Sequence, residues 1–200
     1  MKPHDVILES AKPAELLSAC PKYKPTPLLK KSVQNNSIWI KDETDRMGLG
    51  AFKALGGVYA VGSIIAKTQD LPIKTDSFFL DEFKSWARDL TFVCASAGNH
   101  AQGFAVSCST LGYKGKVFMP KTTPNQKIEQ VKKFGKTNVE VILFGENFTQ
   151  AYEKALQECD KYDKTFIHPF DDKKVIAGQA TLFLSLIHIS EPTRRRGISY

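Results

Sequence analysis

The centre of the chain alternates between short apolar runs rich in β-forming residues and longer stretches with helical periodicity. The runs at residues 91–95, 116–119, 139–143 and 165–167 predict four strands. Three stretches with apolar residues on one face predict the helices between these strands, at about residues 100–111, 125–134 and 148–161. Strands that alternate with helices through short connections are typical of a parallel sheet. We therefore predict an α/β fold, an open and mostly parallel sheet with helices on both faces.

The residues before this unit are less regular. A strand is predicted at residues 37–41, followed by a loop and a helix from about residue 51 to residue 67. Residues 68–90 read as an insertion with a short amphipathic helix. Its apolar side would carry five side chains, Phe78, Phe79, Phe83, Trp86 and Leu90.

Composition excludes several classes of protein. Apolar residues make up 42% of the 200-residue chain and charged residues 24%, which excludes a disordered chain, a collagen and a disulfide miniprotein. No apolar run reaches the roughly 18 residues of a membrane span, and no signal peptide can be drawn. The four cysteines are widely spaced and predict reduced, mostly buried thiols. We expect a cytoplasmic protein with no membrane partner and no metal site.

The charge is moderately basic, with 28 basic and 21 acidic residues and a net charge of +7. The lysines are spread along the chain, whereas a nucleic-acid-binding protein concentrates its basic residues on one face. An enzyme for anionic small molecules, with no nucleic-acid partner, is the simpler interpretation. A basic nucleic-acid-binding fragment stays open as an alternative because the sequence pI is about 9.2.

The first candidate site is a glycine-containing loop that runs into a helix, with Lys53 in the first helical turn. The helix N-terminus carries partial positive charge, and the apolar neighbours Phe52 and Ala54 exclude water. Both effects favour the neutral amine, which is the form that attacks an aldehyde to give a Schiff base. Spacing alone does not distinguish this lysine from a surface lysine.

The second candidate site is the segment Ala-Ser-Ala-Gly-Asn-His-Ala-Gln-Gly at residues 95–103, where a predicted strand ends and a helix begins. Open α/β sheets bind ligands at that edge, and the N–H groups of a helix start can hold an anion. Ser96 offers a hydroxyl, Gly98 allows close approach and Asn99 offers an amide. A helix cap in which Ser96 and Asn99 serve the backbone fits the segment equally well.

Taken together, the two segments resemble the fold-type-II pyridoxal-phosphate enzymes, the tryptophan-synthase-β-like superfamily. The resemblance covers about residues 22–183. It implies pyridoxal 5'-phosphate as cofactor, held on Lys53 as a Schiff base. Phe52 would pack against the pyridine ring, and Asn99 would form a hydrogen bond with the ring hydroxyl of the cofactor. It also implies a set of residues that bind the substrate carboxylate, namely Ser96, Ala97, Gly98, Asn99 and His100.

Within the superfamily the motifs divide. The 95–103 segment and His-Pro-Phe-Asp at residues 168–171 are similar to threonine/serine dehydratases, whereas the lysine segment and the 68–90 insertion are similar to diaminopropionate ammonia-lyase. The latter is expected to have an aspartate at the position of Ala97. The resemblance therefore implies an ammonia-lyase that converts L-threonine or L-serine to a 2-keto acid, with diaminopropionate as the alternative substrate. A non-catalytic relative that kept the fold is a further alternative. Lys53 distinguishes the two, because such a relative would not need this lysine.

The resemblance also divides the chain. Residues 1–55 would begin the large cofactor-binding domain, 56–177 would form a small α/β domain, and 178–183 would start the return to the large domain. Residues 184–200 read as a translated sequencing adapter rather than as native protein. The family's phosphate-binding loop and pyridine-nitrogen partner would follow Gly178 in a complete chain. We therefore expect a truncated, inactive fragment of a full-length homo-oligomer that acts on an amino acid.

Overall fold

The computed structural model describes residues 11–34, 36–68 and 81–190. Its elements, in chain order, are α1 (Ala11–Ala19), β1 (Leu28–Val33), β2 (Asn36–Lys41), α2 (Lys53–Thr68), α3 (Asp81–Ala87), β3 (Thr91–Ala95), α4 (Asn99–Leu111), β4 (Lys114–Met119), α5 (Asn125–Gly135), β5 (Val139–Leu143), α6 (Phe148–Tyr162), β6 (Thr165–Phe166) and α7 (Lys173–Ser190). Two short 3₁₀ turns lie at Arg46–Gly48 and Lys136–Asn138.

Four parallel strands form the sheet, in the order β5-β4-β3-β6. Side chains alternate across β3, so that Phe92 and Cys94 join the core beneath α4, while Val93 and Ala95 join a second core beneath α6. Helices thus cover both faces of an open sheet, as predicted. The strand order reverses between β3 and β6, and this switch point is where such sheets bind ligands.

The first two strands stand apart from this sheet. β1 and β2 form an antiparallel pair in which Leu28 lies opposite Lys41. Only the second of these strands is predicted from the sequence. Residues 28–33 contain two adjacent lysines and a serine, and therefore lack the apolar alternation that marks a strand.

Glycines bring three helices into backbone contact. A Cβ atom on Gly103 of α4 would lie 2.7 Å from the carbonyl carbon of Lys53, at the start of α2. A Cβ atom on Gly178 of α7 would lie 2.6 Å from the carbonyl oxygen of Leu55. Real side chains cannot occupy such positions, so these glycines fix where the first turn of α2 lies relative to α4 and α7.

This packing predicts that Gly103→Ala destabilises the protein. The new methyl group meets main-chain atoms that cannot rotate away, and overpacking of this kind costs about 1–3 kcal/mol, which exceeds the ~1 kcal/mol that alanine gains in a helix. Gly98→Ala is the matched control, because Gly98 has φ −123° and nothing within 4 Å of its Cβ position. Urea denaturation should show a lower midpoint for Gly103→Ala alone. Equal midpoints for the two variants would contradict the packing.

The last helix extends beyond the predicted native segment. α7 continues to Ser190, whereas the sequence analysis expects native protein to end at Phe183. Residues after Phe183 are mostly apolar and helix-compatible up to Pro192, which explains the continued helix. The foreign origin of residues 184–200 stays a prediction, and residues 191–200 lie outside the described chain.

The other sequence predictions have mixed outcomes. The four cysteines are buried and unpaired, as predicted. α3 forms in the insertion and buries Phe83, whereas Phe78 and Phe79 lie outside the described residues. The predicted domain boundary at residue 55 falls inside α2, and the division into domains stays a prediction. No helix within the described residues is long and apolar enough to cross a membrane.

Candidate active site

The loop before Lys53 is anchored by a buried arginine. Arg46 is 2% exposed, and its Nε atom donates to Glu43 Oε2 at 2.6 Å. Its terminal nitrogens donate to the Lys24 carbonyl oxygen at 2.8 Å and to Thr26 Oγ1 at 2.8 Å. The guanidinium also lies 5.1 Å from the centre of the Tyr23 ring. One side chain thus joins the lysine loop to residues 23–26, and no pattern in the sequence predicts this role for Arg46.

Charge pairing holds both partners ionised despite their burial. Burial alone would lower the pKa of Arg46, but the hydrogen bond and charge of Glu43 raise it above its usual value. Burial alone would raise the pKa of Glu43, but hydrogen bonds from Arg46 and Thr26 lower it overall. The pair is therefore a fixed ionic anchor at neutral pH.

The loop between this anchor and α2 depends on two glycines. Gly48 and Gly50 have φ values of 73° and 68°, in the left-handed region that glycine enters without steric cost. The turn that they form leads the chain into α2 at Lys53. The sequence prediction of a glycine-dependent loop before the lysine agrees with these dihedral angles.

Lys53 is half-buried, and its side chain lies at a cavity of about 330 Å³. Its Nζ atom donates to the Pro169 carbonyl oxygen at 3.4 Å and lies 5.8 Å from the centre of the Phe52 ring. The Lys53 carbonyl oxygen accepts from Gln179 Nε2 of α7 at 3.3 Å. The cavity lining is mostly apolar and includes Phe170 and Phe183. Its size is at the lower end of the range for small-molecule sites.

The second candidate segment lies at the carboxyl end of β3, beside the switch point of the sheet. The Ser96 backbone N–H donates to the Phe118 carbonyl oxygen at 3.1 Å, and Ser96 Oγ accepts from the Gly98 N–H at 3.2 Å. Ala97 is partly buried, and Asn99, the first residue of α4, is exposed. These residues do not line the Lys53 cavity. The Ser96 hydroxyl oxygen thus accepts a backbone hydrogen bond, and its hydrogen stays available to a ligand.

His100 connects this segment to the turn that follows β6. Its Nε2 atom lies 3.3 Å from the Ile167 carbonyl oxygen, and its Nδ1 atom is buried and has no hydrogen-bond partner among the described residues. Burial is the main cause that lowers the pKa of His100 to about 4. The hydrogen bond to the Ile167 carbonyl oxygen raises the pKa, and the nearby charge of Lys53 lowers it further. The His100 side chain is therefore buried and uncharged at neutral pH, where it links the segment to Ile167. Any contact of His100 with a substrate would involve its backbone.

The lowered pKa of His100 predicts a loss of stability in mild acid. The unfolded chain binds a proton near the usual value of 6.5, whereas the folded chain does so near 4. The stability is thus complete above pH 6.5 and falls towards pH 4, by about 3 kcal/mol over the whole interval. His100→Gln keeps a donor for the Ile167 carbonyl oxygen but cannot titrate. Its unfolding free energy, measured by urea denaturation, should change less than that of the wild type between these pH values, and equal slopes would contradict the assignment.

The residues at the two sites fit the cofactor that the sequence resemblance implies. Lys53 offers a primary amine to an aldehyde, Phe52 offers a ring face, and Asn99 offers an amide to a ring hydroxyl. The position of Gly98 is open enough for a ligand to approach the backbone. The close backbone contact between Gly103 and Lys53 holds the two segments near each other.

A parallel α/β sheet with a lysine at the start of a neighbouring helix is compatible with the pyridoxal-phosphate-dependent α/β enzymes. The family model described as "Pyridoxal-phosphate dependent enzyme" matches residues 20–193. The chain therefore belongs to this family.

The curated relatives include biosynthetic L-threonine dehydratases. The Bacillus subtilis enzyme is 54% identical over 96 residues, which are 48% of this chain and 23% of that protein. The Lactococcus lactis enzyme is 37% identical over 147 residues, 74% of this chain and 35% of that protein. The match thus spans about a third or less of the length of these relatives.

Solved structures share the fold. Apo diaminopropionate ammonia-lyase from Escherichia coli has a TM-score of 0.81 at 24% identity, over 99% of this chain and 56% of that protein. Processed threonine deaminase isoform 2 from Solanum lycopersicum has a TM-score of 0.67 at 26% identity, over 94% of this chain and 47% of that protein. The chain spans about half of each, and the first likeness shows the fold alone.

Proposed function

We propose that the full-length protein is an ammonia-lyase that uses pyridoxal 5'-phosphate to convert L-threonine or L-serine to a 2-keto acid and ammonia. The observation that carries the proposal is the position of Lys53. Lys53 begins α2, its side chain lies at a cavity lined by Phe52 and Phe170, and its backbone lies against Gly103 of α4. The family match supports an enzyme over the nucleic-acid-binding alternative.

The residues of this chain would act in distinct ways. Bound cofactor supplies an aldehyde that links to amines and a ring that takes up negative charge. Lys53 would hold the cofactor and, once released, remove the proton from the substrate α-carbon. Phe52 would pack against the cofactor ring, and Asn99 would form a hydrogen bond with the hydroxyl of that ring. The start of α4 would bind the substrate carboxylate, through Ser96, Ala97, Gly98, Asn99 and His100.

Ala97 supports a hydroxyamino acid as substrate. An amino leaving group and a D-configured substrate would both benefit from a carboxylate next to Asn99, and alanine offers none. For a hydroxyl leaving group, the phosphate of bound cofactor would supply the acid, so that no side chain is needed at this position. The identity of 37–54% with L-threonine dehydratases supports the same choice.

Steady-state assays of keto-acid formation on the full-length protein test this choice. L-threonine, L-serine and diaminopropionate should be compared side by side, and the highest kcat/KM is expected for L-threonine or L-serine. An advantage for diaminopropionate would overturn the substrate assignment and leave the elimination chemistry in place. The homo-oligomeric state and the cytoplasmic location stay predictions.

A further inference from the structure

The turn between β6 and α7 is closed by an imidazole. His168 Nδ1 accepts hydrogen bonds from the backbone N–H of Asp171 at 2.7 Å and of Phe170 at 3.3 Å. An acceptor at Nδ1 places the ring proton on Nε2. The arrangement is similar to an Asx turn, in which a side-chain oxygen accepts from the backbone N–H two residues later.

Neighbouring rings hold the imidazole in this orientation. The His168 ring lies edge-on to Phe170, with 4.7 Å between ring centres, and at 6.0 Å and 6.1 Å from Tyr152 and Phe166. Edge-to-face contacts at such distances favour one relative orientation of the rings. The imidazole is therefore positioned from the β6 and α6 side, independently of Lys53.

The same turn places a carbonyl group against the candidate catalytic amine. Pro169, inside the turn, accepts the hydrogen bond from Lys53 Nζ. Proline has no N–H to donate, so the turn depends on the N–H groups of the two residues that follow. Both ends are fixed elsewhere, since the Ile167 N–H donates to the Val93 carbonyl oxygen at 2.8 Å and the Asp172 carboxylate caps α7.

We propose that His168 is a positioning residue, whose imidazole locks the turn at residues 168–171 so that the Pro169 carbonyl group stays against the Lys53 amine. The inference rests on the proposed role of Lys53. It assigns His168 no contact with substrate or cofactor. A small displacement of a reacting group can reduce a reaction rate about a hundredfold, so the lock is expected to matter for the reactivity of Lys53.

Two substitutions of His168 test the contribution of its hydrogen-bond acceptor separately from that of its aromatic ring. His168→Phe keeps an aromatic ring among Tyr152, Phe166 and Phe170 but removes the acceptor. His168→Asn loses the ring but keeps an acceptor that can form an Asx turn. In the full-length protein, hydrogen exchange of the Phe170 and Asp171 amides should accelerate about tenfold in His168→Phe, as expected for a lost hydrogen bond. It should stay near the wild-type rate in His168→Asn.

The reactivity of the Lys53 amine is then measured without any cofactor. The acetylation rate of Lys53 by acetic anhydride, relative to Lys67 of the same helix, should rise at least about threefold in His168→Phe because the Pro169 carbonyl group no longer restrains the amine. His168→Asn should restore the wild-type ratio. An unchanged ratio in His168→Phe, or an equal change in both variants, would overturn the proposal. This outcome does not depend on the proposed function.

The cofactor is added last. Trapping of pyridoxal 5'-phosphate on Lys53 with cyanoborohydride should be at least about tenfold slower in His168→Phe than in the wild type, and His168→Asn should recover most of that rate. Absence of trapping on wild-type Lys53 would refute the proposed function, while the exchange and acetylation results still decide the role of His168. Normal trapping in His168→Phe would refute the positioning role and leave the function intact.

Discussion

Lys53→Ala should lower the kcat of keto-acid formation by the full-length protein at least ~10³-fold. The substitution removes both the amine that would hold the cofactor and the base that would take the α-proton, and general-base catalysis alone contributes about 10²–10⁴-fold. The fold should persist, because the hydrogen bond from the side chain to the Pro169 carbonyl oxygen is long, at 3.4 Å. Lys67→Ala, at the exposed opposite end of the same helix, is the matched control and should keep wild-type kcat.

Thermal unfolding of the two lysine variants completes the experiment. Both should melt near the wild-type temperature, so that a loss of activity in Lys53→Ala cannot be attributed to unfolding. Substantial keto-acid formation by a folded Lys53→Ala protein would show that this amine carries neither role.

Arg46→Met should cost about 3–5 kcal/mol of unfolding free energy. It removes the charged partner of a buried ion pair and leaves the Glu43 carboxylate with the hydrogen bond from Thr26 and the nearby charge of Lys41. Replacing both partners, as in the double variant Glu43→Met with Arg46→Met, should recover part of that loss because no buried charge remains. Arg46→Lys should fall between wild type and Arg46→Met, since an ammonium cannot form the forked contacts of a guanidinium.

The same pair predicts a pH dependence that denaturation curves can measure. Because the pKa of Glu43 is lowered from 4.5 in the folded protein, its contribution is present above that value and is lost as the pH falls through the folded pKa. The difference between wild type and Arg46→Met should therefore shrink in strong acid. A cost below about 1 kcal/mol at neutral pH would be typical of an exposed ion pair and would contradict the anchoring role.

The parallel sheet was predictable because its signals are local. Strand β3 is an apolar run, α4 ends at Gly112 in the left-handed conformation, and the Asn147 side chain caps α6 through the Gln150 N–H. Each of these features depends on a few neighbouring residues, and the structure confirms them. The position of the 95–103 segment at the sheet edge followed from the same strand-to-helix order.

The missed features depend on contacts between distant parts of the chain. Arg46 donates hydrogen bonds to Lys24 and Thr26, some 20 residues away, and Lys53 donates one to the Pro169 carbonyl oxygen, 116 residues away. No periodicity encodes such pairs. The one available signal was an arginine three residues after Glu43, a spacing that places opposite charges together in a turn.

In the candidate site, too, the locally encoded features could be predicted and those that depend on long-range packing could not. The sequence pattern placed Lys53 at the start of a helix, and the structure does so too. It could not show that the His100 ring is buried beneath the segment, because burial follows from packing against Ile167. The roles of Phe52, Asn99 and the carboxylate-binding residues stay predictions.

The central claim is that Lys53 carries the cofactor, and reductive labelling tests it most directly. Full-length protein incubated with pyridoxal 5'-phosphate is reduced with borohydride, digested and mapped by mass spectrometry. We expect a pyridoxyl group on the peptide that contains Lys53, with none on that peptide in Lys53→Ala. A stoichiometric label on another lysine, or no label on any, would contradict it.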